Sequence, residues 1–266
     1  MEIKLIPIIQ YNFITILRVH FKIISFLFCL FLSSLVYAHT QDDLVILDIE
    51  QGELNFQDEI VEQEYIAALK RQRLRKLAAM PWQEKFGVFI KAGIDHIIPK
   101  GLDHILFVLG LFFSSLLLSS LLWQVTAFTL AHSITLAFAA LGLVQIPAEI
   151  VEPLIALSIV WIAIENCVFK QTNKWRPVIV FGFGLLHGLG FATVLKVYGL
   201  PQSSLVQSLL AFNIGVEIGQ LIVLAVAGAL VWFIRKKSWY RLWVQIPASI
   251  FIAIVGLYWF IERVFL

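Results

Sequence analysis

The sequence predicts an all-α integral membrane protein, a six-helix transmembrane bundle that follows a cleaved signal peptide and a short extramembrane N-terminal segment. Three observations predict this class. Of the 266 residues, 60% are hydrophobic and only 14% are charged, whereas a soluble domain carries about 25% charged residues. Residues 101–266 contain successive apolar runs near the roughly 20 residues that a bilayer requires. Residues 1–38 have the layout of a secretory signal.

Residues 1–38 are the predicted signal peptide. Arg18 and Lys22 lie in its basic region, residues 23–36 are apolar, and Val36-Tyr37-Ala38 fits a small-x-small cleavage site. Cleavage there would leave His39 as the mature N-terminus. An uncleaved membrane anchor is the alternative, because the region before the basic residues is itself apolar.

Residues 39–86 are predicted to form a periplasmic (extracytoplasmic) segment. This part of the chain is rich in acidic and basic residues, and 58–80 has the pattern of a helix. Its basic run, 70–76, is expected to be a solvated face that can touch anionic headgroups. Trp82 and Phe86 suit the membrane interface.

Residues 87–266 are predicted to form the six-span domain. A short helix over 87–98 leads to the membrane and is broken at Pro99 and Gly101. The first two spans are expected to form a hairpin with a tight turn at Ser119-Ser120. The six predicted spans are approximately 101–119, 121–143, 149–169, 177–198, 205–234 and 243–263.

Basic residues predict the orientation of the bundle. Two loops between spans carry them: Lys170, Lys174 and Arg176 follow the third span, and Arg235, Lys236, Lys237 and Arg241 follow the fifth. The loops 144–148 and 199–204 have no Lys or Arg. The positive-inside rule makes the basic loops cytoplasmic. We therefore expect a multi-pass protein of the bacterial inner membrane with both mature termini outside the cytoplasm.

Several apolar segments contain ionisable residues, each of which costs about 2.5–3.5 kcal/mol on insertion scales and points to function. The candidate metal ligands carry imidazole or carboxylate groups: His96, Asp103, His104, His132, His187 and Glu217. Candidate supporting polar residues lie on the same segments: Asp95, Ser133, Glu152, Glu165, Asn166, Asn213 and Gln220. Together these residues predict a polar interior that binds a metal.

A nitrogen and oxygen ligand set suits nickel, cobalt, zinc or iron, whereas copper(I) favours sulfur ligands. Cys29 lies in the segment predicted to be removed, and Cys167 would then be alone. A divalent ion (nickel, cobalt or zinc), as substrate or as bound ion, is therefore expected. For any single histidine, a hydrogen bond to a neighbouring helix is the alternative. The formal net charge of +2 predicts no nucleic-acid partner.

Residues 93–107 read GIDHIIPKGLDHILF, which resembles the G-x-x-H-I-x-x-G-x-D-H-L-L-F opening of the HupE/UreJ family of hydrogenase and urease accessory membrane proteins, in its second branch. The resemblance continues through AHSITL at 131–136, Glu152, the run IEN at 164–166, LHGLGFA at 186–192 and FNIGVEIGQ at 212–220. It implies a six-span, permease-like protein with nickel or cobalt as substrate. A metalloenzyme maturation system is an implied partner, beside the lipid bilayer.

Three functions fit these residues. In the first, Asp95, His96, Asp103 and His104 capture a divalent ion, and His132, His187 and Glu217 relay it across the membrane. In the second, an intramembrane metal-dependent hydrolase holds zinc with an open position for water and uses a glutamate as general base. The third is a metal-free accessory subunit. The chain contains no HExxH motif, so transport is favoured over catalysis.

Overall fold

The computed structural model of the protein describes residues 59–115, 117–169, 175–191 and 204–265, and all regular structure within these ranges is helical. This agrees with the predicted all-α membrane class. The predicted signal peptide and residues 39–58 of the predicted periplasmic segment lie outside the described residues. The division of the chain at residues 38 and 86 stays a prediction.

Eight α-helices follow one another along the described chain. They are α1 (Glu59–Ala79), α2 (Trp82–Ile97), α3 (Leu102–Ser114), α4 (Leu118–Ala140), α5 (Ala148–Val168), α6 (Arg176–Gly190), α7 (Leu205–Val231) and α8 (Ile246–Phe265), and a π-helical turn, Arg241–Gln245, leads into α8. Helix α1 confirms the helix predicted over 58–80 for its described residues. It carries many charged side chains, and Leu77 near its end is buried.

Four of the helices are long and apolar enough to cross a membrane: α4, α5, α7, and α8 together with the π-helical turn. They correspond to four of the six predicted spans. The first predicted span, 101–119, contains only the 13-residue helix α3, which ends at Ser114. Together with α2 before it, across a bend of 71°, α3 counts as one span. The described chain thus holds four such helices, or five with the bent pair.

Helix α6 covers the start of the predicted span 177–198, and it is only 15 residues long. At about 1.5 Å per residue it measures roughly 22 Å, which is shorter than the hydrocarbon core of about 30 Å. Residues 192–198 of that span lie outside the described residues. The six-span count is therefore not confirmed.

Two local predictions were wrong by a few residues. The α3–α4 connection lies at Ser115 and Leu117, which have extended backbones, and not at Ser119-Ser120, which lie in the first turn of α4. Serines such as Ser119 and Ser120 are tolerated in a first helical turn. The bend itself lies before the helix, where the hydroxyl of Ser115 accepts the amide hydrogen of Leu117. Helix α2 begins at Trp82, five residues before the predicted start, because Pro81 before it suits the N-terminal edge of a helix.

Glycines set the closest helix pairings. In the α4–α6 pair, a Cβ atom on Gly184 or Gly188 would press on the backbone of α4, and in the α2–α7 pair the same is true of Gly93 and Gly215 against the facing helix. In the α5–α8 pair, a Cβ atom on Gly256 would press mainly on the side chain of Val160 in α5. These three pairs form the most extensive interhelical contacts. Small residues allow such close approach, which is the usual way for helices to associate in lipid.

Candidate functional site

Four histidines from four helices converge inside the bundle. His96 lies in the last turn of α2, His104 in the first turn of α3, His132 in α4 and His187 near the end of α6. The ring centroid of His104 lies 4.7 Å from that of His96, 5.8 Å from that of His132 and 4.8 Å from that of His187. We call these four side chains, with Asp103, the histidine cluster.

The break between α2 and α3 brings His96 and His104 together. Pro99 lacks an amide hydrogen and so cannot continue α2. The chain then passes so close to the carbonyl oxygen of His96 that a Cβ atom on Gly101 would collide with it. The C-terminal end of a helix carries a partial negative charge. The end of α2 therefore favours a cation beside His96.

Most of the cluster is shut off from the surface. Three of its histidines are almost completely buried: His104 is 2%, His132 0% and His187 1% exposed. His96 is half-buried, and its ring centroid lies 4.0 Å from that of Phe191. Phe191 in turn stacks on Phe212 at 5.0 Å. His96 is thus the most exposed of the four histidines, and two stacked aromatic rings lie against it.

Three of the rings are held by a polar side chain through one nitrogen. Nδ1 of His104 lies 3.0 Å from Oδ1 of Asp103, Nδ1 of His132 lies 3.2 Å from Oδ1 of Asn213, and Nε2 of His187 lies 3.1 Å from Oγ of Ser158. Oδ1 of Asp103 also accepts the backbone amide hydrogen of His104. Hydrogen bonds of this kind fix the orientation of an imidazole that binds a metal through its other nitrogen.

The other nitrogen of each of these rings has no hydrogen-bond partner among the described residues. These atoms are Nε2 of His104, Nε2 of His132 and Nδ1 of His187. Nε2 of His96 is also buried without a hydrogen-bond partner. A neutral imidazole has one N–H group and one lone pair. Buried polar atoms without a partner require an explanation, and a cation that accepts the lone pairs is a direct one.

Two overlapping groups of ligand atoms can each hold a metal ion. In one group, His96, His104 and His132 each offer a ligand atom, and in the other Asp103, His104 and His187 do so. Within each group the atoms lie within 4.8 Å of one another. His104 belongs to both groups, which makes it the central residue of the cluster. Imidazole nitrogen with a carboxylate suits divalent transition metals.

Glu217, the sixth predicted ligand, belongs to neither group in the part of the chain that the structure describes. Its Oε1 accepts a hydrogen bond of 2.7 Å from Thr126 Oγ1 on α4. Nearby, Thr129 Oγ1 donates to Oε1 of Gln220 at 3.0 Å, and Ser133 Oγ donates to the carbonyl of Thr129. These residues form a polar contact between α4 and α7, next to the cluster along α4.

A second buried polar region joins α5 and α6. Nη1 of Arg176 lies 3.3 Å from Oε2 of Glu165, and Nη2 of Arg176 donates to Oδ1 of Asn166 at 3.3 Å. Nδ2 of Asn166 donates to the carbonyl oxygen of Gly110 at 2.8 Å and to Ser249 Oγ at 3.4 Å. We call Arg176, Glu165, Asn166 and Ser249 the guanidinium network.

Arg176 is 2% exposed and is the first residue of α6, so its assignment to the loop before that helix was wrong, and the side of the membrane stays a prediction. The carboxylate of Glu165 compensates the charge, which is what allows an arginine to be buried. The remaining predicted supporting residues lie nearer the surface. Asp95 pairs with Lys91 at 2.6 Å, and Glu152 lies 3.7 Å from Nε of Arg263.

Two elements of the site were missed in the sequence. Ser158 lies on α5, one heptad before Glu165, and this spacing was the available signal that it faces the interior. Phe128 of α4 has its ring centroid 5.8 Å from that of His104 and 5.0 Å from that of His187. Nothing in the pattern separates it from the many other phenylalanines of the chain.

Comparison with known proteins gives one match. Residues 70–263 match the family model described as HupE / UreJ protein, which covers most of the described chain and every residue of the histidine cluster. No curated protein and no solved structure matches the chain.

Proposed function

The chain belongs to the HupE/UreJ family, and from this premise we propose that it is an inner-membrane permease for a divalent metal ion, nickel or cobalt. The family is associated with nickel and cobalt handling. The transported ion is the substrate of the protein. The histidine cluster is its binding site within the membrane.

One observation carries the proposal: four buried imidazole nitrogens from four helices converge without hydrogen-bond partners in the described part of the chain. In most protein interiors, buried donors and acceptors form hydrogen bonds with one another. Within the described chain these four nitrogens do not. Lone pairs that face lone pairs repel unless a proton donor or a cation lies between them, and a divalent ion can bind several of them at once. The match of donor type to metal is also good, because neutral imidazole binds nickel, cobalt and zinc.

The order of the polar residues supports passage of an ion. His96 is the exposed end of the cluster, beside Asp95, and we assign capture of the ion to this end. His104 belongs to both ligand groups. It can therefore pass the ion from the group with His132 to the group with His187. Glu217 then offers a carboxylate one step further along the α4–α7 contact.

The energy for passage would come from the membrane potential, since the sequence has no nucleotide-binding motif. That potential contributes about 2.3 kcal/mol per charge per 100 mV, and a divalent ion doubles it. We propose six spans for the domain, with the bent α2–α3 pair and the short α6 added to the four long helices. The basic loops then face the cytoplasm and both mature termini lie outside it.

The test starts with metal binding by the detergent-purified protein. Nickel, cobalt and zinc would be titrated into the wild type, into His104→Ala and into Ser249→Ala, which removes one buried hydroxyl of the guanidinium network as a matched control. Reversible binding that is lost only in His104→Ala supports the permease. Uptake of the bound metal into proteoliposomes under an imposed potential then tests transport itself.

Other outcomes contradict the proposal in different ways. Stoichiometric zinc that resists chelators would indicate a resident ion and favour the intramembrane hydrolase. Absence of binding for all three metals would leave the histidines as packing groups of an accessory subunit. Binding without uptake would keep the site but reject the transport function.

A further inference from the structure

Within the described chain Ser158 is the only hydrogen-bond partner of the His187 ring, and its hydroxyl is already committed as a donor. Oγ of Ser158 donates to the carbonyl oxygen of Ile155 at 2.7 Å, one turn earlier on α5. A hydroxyl has a single hydrogen. Toward Nε2 of His187, at 3.1 Å, the same oxygen can therefore act only as an acceptor.

Because the Ser158 hydroxyl donates to Ile155, only one nitrogen of His187 can carry the ring hydrogen. Nε2 must be the N–H donor to Ser158, which leaves a lone pair on Nδ1. Nδ1 is buried and has no hydrogen-bond partner in the described part of the chain. In the opposite tautomer, Nδ1 would present a buried N–H group with no acceptor in range. Orphaned buried N–H groups are rarer than under-used acceptors.

The hydrogen-bond partner of His132 places its ring hydrogen on the other nitrogen, Nδ1. Nδ2 of Asn213 donates to the carbonyl oxygen of Leu209 at 2.8 Å, which orients the amide so that its Oδ1 faces Nδ1 of His132. Nδ1 of His132 is then the donor and Nε2 carries the lone pair. Asp103, a carboxylate acceptor, has the same effect on His104.

We propose that Ser158 is a positioning residue of the metal site that holds His187 in the Nε2–H tautomer, so that His187 offers Nδ1 to a metal in the group with Asp103 and His104, whereas His132 offers Nε2 in the group with His96 and His104. The consequence for affinity rests on the proposed function, whereas the tautomer does not. Side chains that orient a ligating histidine typically contribute 10–100-fold to metal affinity. Loss of the Ser158 hydroxyl is expected to lower the affinity by about that factor.

The tautomer can be measured without metal. Nitrogen-15 NMR of the histidine-labelled, metal-free protein at alkaline pH separates protonated from unprotonated ring nitrogens, and His187→Gln and His132→Gln variants assign the two rings. We expect hydrogen on Nε2 of His187 and on Nδ1 of His132, so that the two rings have opposite patterns in one spectrum. Hydrogen on Nδ1 of His187 in the wild type would overturn the proposal.

Substitution tests the role of the hydroxyl. Ser158→Ala is expected to abolish the single Nε2–H pattern of His187 and to weaken metal binding about 10–100-fold, and Ser158→Thr, which keeps the hydroxyl, is expected to retain the pattern. The matched control is Ser114→Ala. Ser114 also donates to a carbonyl three residues earlier in its own helix and contacts no histidine of the cluster through that hydroxyl.

The two proposals fail in distinguishable ways. If the wild type binds no metal but shows the expected tautomers, the proposed function fails and the role of Ser158 in setting the tautomer stands. If the wild type binds metal and Ser158→Ala keeps both the affinity and the tautomer of His187, the role of Ser158 is rejected and the proposed function stands.

Discussion

The two buried polar regions of the bundle satisfy their charges and hydrogen bonds in opposite ways. In the guanidinium network a cation faces an anion, and the amide of Asn166 uses both its oxygen and its nitrogen. In the histidine cluster, acceptor faces acceptor, and the nitrogens that point inward have no partner in the described chain. In the first region the charges balance within the protein, although Nε of Arg176 and Oε2 of Glu165 have no hydrogen-bond partner in the described chain. The second region has no such balance of charge, and a cation from outside would supply it; this difference separates a structural ion pair from the proposed binding site.

The largest effect is expected from breaking the charge balance of the guanidinium network. Arg176→Met leaves the carboxylate of Glu165 buried without its cation, and removal of one partner from a buried pair costs about 3–5 kcal/mol. We expect the free energy of unfolding of the detergent-solubilised protein to fall by that amount. Nickel affinity should change less than about twofold, because Arg176 lies eleven residues from His187 on α6, or about 16 Å.

The double variant with Arg176→Met and Glu165→Gln provides the control for this prediction. It removes both charges and is expected to recover part of the lost stability. Equal destabilisation of the single and double variants would mean that packing, and not the unpaired charge, is responsible.

The histidine cluster should respond to an apolar substitution in the opposite way. His104→Leu removes the residue shared by both ligand groups and is expected to lower metal affinity at least 100-fold, since even orienting residues contribute about 10–100-fold. The metal-free variant should be as stable as the wild type or more stable, because an unpartnered buried nitrogen is replaced by a hydrocarbon. Titration calorimetry and chemical unfolding measure the two quantities. A large loss of stability without metal would place His104 with the structural group.

A steric change can separate the geometry of the cluster from its chemistry. Gly188→Ala adds a methyl group that meets the backbone of His132 and the hydroxyl of Thr135, and overpacking of this kind costs about 1–3 kcal/mol. Because it pushes α6 away from α4, it should also weaken metal binding with every ligand still present. Gly182→Ala on the same helix is the matched control, since a Cβ atom there meets no atom within 4 Å. Similar behaviour of the two variants would contradict this account.

The smallest effect is expected from Asp103→Asn. The amide oxygen can still accept hydrogen bonds from Nδ1 and the backbone amide of His104, so the orientation of the ring is kept while the negative charge is lost. We expect metal affinity to fall by about tenfold, at the lower end of the range for orienting partners. A loss comparable to that of His104→Leu would show that Asp103 binds the metal directly.

The members of the histidine cluster were largely visible in the sequence, because ionisable residues stand out in apolar segments. His96, Asp103, His104, His132 and His187 were singled out on that ground, and the structure brings them together. Their grouping could not be predicted, because it depends on how helices distant in sequence are rotated against each other. Glu217 looks equivalent to the histidines in the sequence, yet the register of α7 against α4 places it on Thr126.

The fold was predictable in class and less so in detail. Hydropathy located the four long helices within about three residues at their starts, because the length of a span is set by the bilayer. Hydropathy placed a complete span at 101–119, where the structure has the shorter α3 bent by 71° from α2. Pro99 and Gly101 mark the break between these helices but not the angle across it. Arg176 was misassigned because a basic residue beside Lys170 and Lys174 has the pattern of a cytoplasmic loop. Only a contact across helices, with Glu165, accounts for its burial.

The glycine contacts also determine how the bundle can move. His132 and His187 sit on one pair, α4–α6, whose backbones touch at Gly188, whereas His96 sits on the α2–α7 pair, whose backbones touch at Gly93 and Gly215. Helices in such contact are expected to move together, because sliding along these contacts would bring backbone atoms into overlap. We therefore expect the separation of His132 and His187 to change little, and that between His96 and the other two to change more. A conformational cycle of this protein would be a rocking of one helix pair against the other, with His96 acting as the moving jaw of a clamp.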